Sequence, residues 1–252
     1  MQRKRCSLTI LTGLYLSLAI PLSGSSINFV DGFEGAALDP FWTVTENFGT
    51  IGVSSGNSHT GSQSAAFVSQ SGGQRDVFLT HTFDGPMKGT ASAWFYDVAP
   101  GQQTLYEWFS LYLASDPNGS RIGVSDYDAL CYNANVFSTG PNANCGIYPQ
   151  TITAPISRTS GWHLFEISYL ANEIRLSIDG QVIHSLAGDY SFDSVRMNIS
   201  GPLWRPNTTA YFDDFSIQAE SVPEPWTLLL TGIGVLWLIH KRLYESKMGA
   251  PK

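Results

Sequence analysis

Apolar and polar side chains alternate with a period of two through most of this chain. In "HLFEISYL", Phe165, Ile167 and Tyr169 alternate with Leu164, Glu166 and Ser168. In "EIRLSIDGQVIHSL", Ile174, Leu176 and Ile178 share a face, and Asp179-Gly180 then supplies a two-residue hairpin turn. "AYFDDFSI" places Tyr211, Asp213, Phe215 and Ile217 on a common face. Further strand-like runs cover residues 41–46, 64–68, 76–83, 90–98, 105–114 and 194–199. No long amphipathic helix precedes residue 222, and Gly, Asn and Ser punctuate the runs. Strands at this spacing predict an all-β fold, a two-sheet antiparallel sandwich over residues 27–220, long enough for one domain with its own core.

The two ends break the pattern. Arg3, Lys4 and Arg5 precede an apolar stretch from Leu8 to Leu22 and the small residues Ser23 to Ser26, the order of a secretory signal peptide over residues 1–26. Cys6 lies before the apolar stretch, so it is not placed as a lipid-modified cysteine. At the other end, Trp226 to Ile239 is uncharged and is closed by Lys241 and Arg242. Fourteen helical residues reach about 21 Å, short of a hydrocarbon core of about 30 Å. Trp226 and Trp237 suit membrane interfaces, and Lys241 can snorkel. A transmembrane helix over residues 226–240 is therefore expected, with a basic cytoplasmic tail over 241–252. Pro223 and Pro225 stiffen the segment before it.

Val222-Pro223-Glu224-Pro225, the apolar run and the pair Lys241-Arg242 resemble a PEP-CTERM sorting signal. That resemblance implies recognition of Pro223, Glu224 and Pro225 by the membrane enzyme exosortase, removal of the tail, and delivery to the surface or extracellular matrix of a Gram-negative bacterium. An ordinary C-terminal anchor with a proline-rich stalk is the alternative. A second resemblance lies in Gly161-Trp162-His163, Ile174 to Gly180 and Tyr211-Phe212-Asp213-Asp214-Phe215. These segments resemble the concanavalin-A-like or laminin-G-like jelly roll, and "FVDGFEGAALDPFW" looks like the first strand of secreted carbohydrate-binding jelly rolls. The fold hosts lectins, glycosidases and inert modules alike, so the resemblance implies architecture more than activity.

Charge narrows the partners. Residues 27–220 hold 19 acidic side chains against 7 Lys and Arg, a net charge of −12. That balance argues against nucleic acid, which needs a basic footprint, and is compatible with divalent cations and neutral glycans. Cys131 and Cys145 are the cysteines of the segment, and a disulfide between them is expected in an exported protein, stapling "CYNANVFSTGPNANC" with about 3 kcal/mol of loop-closure stabilisation. In jelly rolls of the resembled kind a structural Ca²⁺ often bridges the terminal strands. Glu34, Asp213 and Asp214 are the donors this implies, with Asp31 and the Asp126/Asp128 pair as weaker ones.

Aromatic side chains are the candidate glycan contacts. In "TLYEWFSLYLAS" one face carries Leu105, Glu107, Phe109, Leu111 and Leu113, and the other Tyr106, Trp108, Ser110 and Tyr112. "SAWFYDV" places Trp94 and Tyr96 together, and Trp204 stands in a loop signature, "GPLWRPN". Such aromatics either stack on sugar rings or fill the space between the sheets. Catalytic signatures are weak. A glycosidase needs two carboxyls roughly 5 to 10 Å apart, and Glu107 and Glu166 have no acidic partner at strand spacing. His59, His81, His163 and His184 form no metal spacing and flank no G-x-S-x-G. The sequence thus leads to a non-catalytic, exported glycan-binding protein of the cell surface or exopolysaccharide matrix. A structural matrix protein without ligand, or a glycoside hydrolase or lyase of the same fold, is the alternative.

Overall fold

The computed structural model describes residues 25–102, 104–124, 130–136, 151–222 and 238–240, without the side chains of 116–118, 135–136 and 151–155. The predicted all-β jelly roll is what it shows. Fourteen strands form two antiparallel layers joined through one long strand, β5 (Arg75–Asp97), which runs through both. Its first half pairs with β2 (Thr43–Asn47) and β13 (Phe192–Gly201). Beyond β13 the first layer continues through β6 (Tyr106–Leu113), β7 (Asp116–Val124), β8 (Cys131–Val136) and β9 (Thr151–Ser157). The second half of β5 pairs with β10 (Gly161–Tyr169) and β14 (Thr209–Ser221). This second layer extends to β11 (Glu173–Ile178) and β12 (Gln181–Ala187) on one side. On the other it reaches β1 (Ser26–Asp31), β4 (Ser64–Ser69) and β3 (Gly49–Ser54).

Asp84-Gly85-Pro86 lies where β5 changes layer, so the runs 76–83 and 90–98 belong to one strand of 23 residues. Just beyond it, Gly89 has φ +151, and a side chain there would collide with the backbone of Gln218 and Ala219 on β14. Only glycine lets the two strands meet this closely.

The alternation read from the sequence faces the core as expected. Val77, Leu79, Phe109, Leu111, Ile122, Val195, Met197 and Ile199 point inward from the first layer. Ala91, Ala93, Phe95, Phe165, Ile167, Tyr169, Ile174, Leu176 and Ile178 meet them from the second. The Asp179-Gly180 hairpin forms, both residues at positive φ, and Leu164 N donates to Asp179 Oδ1.

Two expectations are corrected. The parity of "AYFDDFSI" changes at a bulge between Asp213 and Ser216, where Asp214 has φ +44. Phe212, Phe215 and Ile217 therefore face the core while Tyr211 turns outward. The loop after Cys131 is not merely a stapled, core-poor segment: β8 forms, and Tyr132 and Ala134 are fully buried. Cys145, the sorting residues Pro223, Glu224, Pro225, Lys241 and Arg242, and residues 1–24 lie outside the described residues. Among those described, no helix is long and apolar enough to cross a membrane.

Both ends of the sandwich leave at one place. Ser26 pairs with Glu220, Ser221 N donates to Ser25 O at 2.8 Å, and Val222 N donates to Pro86 O at 2.8 Å. The chain thus enters and leaves on the second layer.

Candidate functional site: a groove on the outer face of the first layer

Because Val195, Met197 and Ile199 of β13 and Phe109 and Leu111 of β6 face the core, the side chains between them face outward. Register aligns those outward residues in rows across the sheet. One row runs Thr45, Phe78, Asn198, Trp108, Gly123. The next runs Thr43, Thr80, Arg196, Ser110, Arg121, and Thr82, Ser194 and Tyr112 form a third. Asp76, Ser200 and Tyr106 close the pattern at the far end.

Phe78, Trp108, Ser110, Tyr112, Arg121, Arg196 and Asn198 line the groove these rows form. It encloses about 80 Å³, well below the roughly 300–1,000 Å³ of a cavity that engulfs a small ligand. A chain laid along the sheet suits it better than an enclosed molecule. At Gly123 any side chain would run into the Glu107 carbonyl and the Trp108 Cα, so the strand is bare beside Trp108. The Arg121 guanidinium carbon lies 4.8 Å from the Trp108 ring centroid. Arg196 stands between Phe78 and Tyr112, 4.6 Å from each ring, and its Nη2 donates to the Tyr112 hydroxyl at 2.9 Å. The floor is therefore cation-on-aromatic. Asp76 is at the groove's end; burial raises its carboxyl above the usual range, and the nearby Arg196 charge partly opposes this.

The predicted aromatic contacts divide between opposite faces of the sandwich. Trp108 and Tyr112 come together in the groove, on the outer face and not between the sheets, although only 3% and 4% exposed. Trp94 and Tyr96 lie on the outer face of the second layer, not beside Trp108. His59 stacks on Trp94 at 3.7 Å, and Tyr96 meets Trp162 and Tyr211 edge-on. Trp204 is 74% exposed in the turn after β13, which is held by Arg75 Nη1 donating to Pro202 O.

Glu34, Asp213 and Asp214 are turned onto the loop of residues 59–63. Asp213 Oδ2 accepts from His59 N at 2.7 Å, and Asp214 binds the His59 ring and the Thr60 hydroxyl, both at 2.7 Å. Glu34 accepts from the amides of Gln63 and Ser62 and from the Ser62 hydroxyl, which hold its carboxyl below the usual range. These carboxylates clasp a loop. Among the described residues no three His, Cys, Asp or Glu side chains converge as a metal site requires. Asp31 likewise is spent on Phe33 N and Trp42 Nε1, and Asp126 and Asp128 lie outside the described residues.

Glu107 points away from the groove, into the core, at 1% exposure. Burial pushes its carboxyl up to about 8, assisted by Asp97 and opposed by Arg158 and by the hydroxyls of Thr104 and Thr208. Asp97 and Arg158 form a two-pronged pair with both contacts at 2.8 Å, and Arg158 also donates to the carbonyls of Gln102 and Ala99.

Sequence reasoning missed Phe78, Arg121, Arg196 and Asn198. The signal was present in "SVRMNIS", where Arg196 and Asn198 alternate with Val195, Met197 and Ile199.

No family model matches the chain, and no characterised protein matches it in sequence. Solved structures do match in fold. Cellulose induced protein Cip1 is 20% identical with a TM-score of 0.54, over 75% of this chain and 96% of that one. The Crh5 transglycosylase is 18% identical with a TM-score of 0.53, over 80% of this chain and 86% of its own. The laminarinase catalytic domain of Thermotoga maritima is 12% identical with a TM-score of 0.52, over 80% of this chain and all of its own. At these identities the likeness is one of fold. It nevertheless overturns the expectation of a non-enzymatic chain: a transglycosylase and a laminarinase share this architecture, and a missing carboxylate motif on β6 is no ground for setting catalysis aside.

Proposed function

We propose that this is an exported carbohydrate-active protein that holds a glycan along the outer groove of the first layer. The observation that carries the reading is the groove itself. Phe78, Trp108 and Tyr112 form an aromatic floor, and Ser110, Asn198, Ser200 and the two arginines converge on it from three adjacent strands. Trp108 and Tyr112 are almost wholly covered, so what the groove offers a sugar chain is a surface of hydrogen-bonding groups stacked on buried rings. The fold neighbours support it, being a transglycosylase, a laminarinase and a cellulose-induced protein.

Export and sorting belong to the same reading. The tail carries Pro223-Glu224-Pro225 ahead of its apolar run, and exosortase recognition of that motif places the sandwich at the cell surface or in its matrix. The termini leave from the second layer, so a tether there does not obstruct the groove. Binding of the purified exported protein to a polysaccharide panel, with release of reducing ends and unsaturated products measured alongside, tests the function. Asn198→Ala is expected to weaken binding several-fold and Trp94→Ala to leave it unchanged. Binding lost in Trp94→Ala but intact in Asn198→Ala would place the glycan on the wrong face for this account.

A further inference from the structure

We propose that the groove takes an acidic glycan, a uronic-acid polysaccharide, and that Arg121 receives its carboxylate. This rests on the glycan reading above and names the class of glycan. The acidic segment of residues 27–220 has only seven basic side chains, yet two of them face the same groove. Arg196 and Arg121 share a row with only Ser110 between them. Neighbouring strands are about 4.8 Å apart, so the two backbone positions stand roughly 10 Å from each other. Like charges this close favour an anion between them.

Among the described residues no carboxylate is ion-paired with either arginine. Four of the other five basic side chains are matched: Arg158 by Asp97, Arg175 by Glu173, Lys88 by Asp189, and Arg75 by the Gln70 and Pro202 carbonyls and Asn207. In the groove Arg196 reaches only the hydroxyls of Tyr112 and Thr80. Asp76, the acid near it, has its carboxyl raised by burial and feels the Arg196 charge, but the two form no ion pair. Arg121 has less still. Its Nε is shut off from solvent and has no hydrogen-bond partner among the described residues. Burial also lowers the guanidinium below its usual range, and the nearby Tyr106 opposes this only in part.

Geometry then sets the chemistry of the ligand. With its guanidinium carbon over the Trp108 ring and its Nε enclosed, Arg121 can meet a ligand only through the Nη edge of its guanidinium. That edge is a fork of N–H donors that fits a carboxylate two-pronged, where a sugar hydroxyl satisfies one donor and none of the charge. A neutral glucan leaves Arg121 as uncompensated as it stands now.

Affinity electrophoresis and calorimetry on the exported protein test this with polygalacturonate, its fully methyl-esterified form, alginate, laminarin and dextran sulfate. Polyuronates are expected to bind at least tenfold tighter than laminarin, to weaken as salt rises, and to lose that advantage on methyl esterification. Arg121→Gln is expected to remove at least tenfold of polyuronate affinity and leave laminarin unchanged. Arg121→Lys keeps the charge and recovers part of the loss, and Arg175→Gln, outside the groove, changes nothing. Should Arg121→Gln fail to fold, the comparison of free and esterified polymer on the unaltered protein decides the acidic class, and Arg121→Lys decides the assignment to Arg121. Equal binding of laminarin and polyuronates overturns the acidic assignment while leaving the glycan reading intact. Dextran sulfate binding as tightly as polyuronates overturns the carboxylate assignment in favour of a general anion groove. No binding by any polymer overturns both readings.

Discussion

Glu107→Gln is the substitution whose size and sign the structure determines most directly. The side chain is fully enclosed, and Oε1 accepts from the Thr208 hydroxyl at 3.2 Å. Its carboxyl is pushed from 4.5 up to about 8, burial being the largest cause. A carboxyl whose folded pKa lies above its unfolded one holds its proton in the native state after the unfolded chain has released it. Native stability therefore falls as pH rises from about 4.5 to about 8 and is level beyond. Each unit costs about 1.36 kcal/mol, so at pH 7 the ionisable group costs up to roughly 3 kcal/mol relative to a neutral side chain of the same shape. Glutamine is that side chain, and its carbonyl can still accept from Thr208. At pH 7 the variant is expected to be more stable by up to about 3 kcal/mol, or roughly 6 to 12 °C in Tm at about 2–4 °C per kcal/mol. At pH 5 the gain shrinks below about 1 kcal/mol. Urea melts of both proteins at pH 5, 6, 7 and 8 measure it. A difference independent of pH, or a variant less stable at pH 7, would refute the reasoning. Glycan binding should be unaffected, because Glu107 faces away from the groove.

Three further outcomes are expected. Asp97→Asn leaves Arg158 buried without its carboxylate and should cost about 3–5 kcal/mol in a chemical melt; a loss under about 1 kcal/mol would mean that the pair is solvated. Phe215→Ala removes a fully buried ring at the β14 bulge and should cost about 3–5 kcal/mol by the same measurement, without changing the pH dependence due to Glu107. Replacing Pro223, Glu224 and Pro225 together by alanine should leave the protein unprocessed in the membrane fraction, seen as retention of the larger species on a blot; normal processing would remove the sorting proposal.

The fold was largely legible in the sequence because period-two alternation in strands such as β10, β11 and β13 tells which side chains face the core. It failed where one residue alters the parity: the bulge at Asp213–Ser216 moves Tyr211 to the outside and Phe212 to the inside, and nothing in "AYFDDFSI" marks the extra residue. Pairing is the second blind spot. Trp94 and Trp108 are close in sequence and both outward-facing, yet they belong to different layers because β5 crosses over before Trp94. That Trp108 and Tyr112 share one face is legible from their alternation alone. The placement of the arginines over them is not, since only register reveals that Arg196 of β13 and Arg121 of β7 flank Ser110. β8 lacked the apolar density of a recognisable strand, although Tyr132 and Ala134 anchor it in the core.

The most direct test of the central claim is a crystal structure of the protein soaked with a mixture of acidic and neutral oligosaccharides. The account predicts sugar density along the outer face of β13, β6 and β7, over Phe78, Ser110 and Arg121. Density on the opposite layer at Trp94 and Tyr96, with the groove empty, would contradict it.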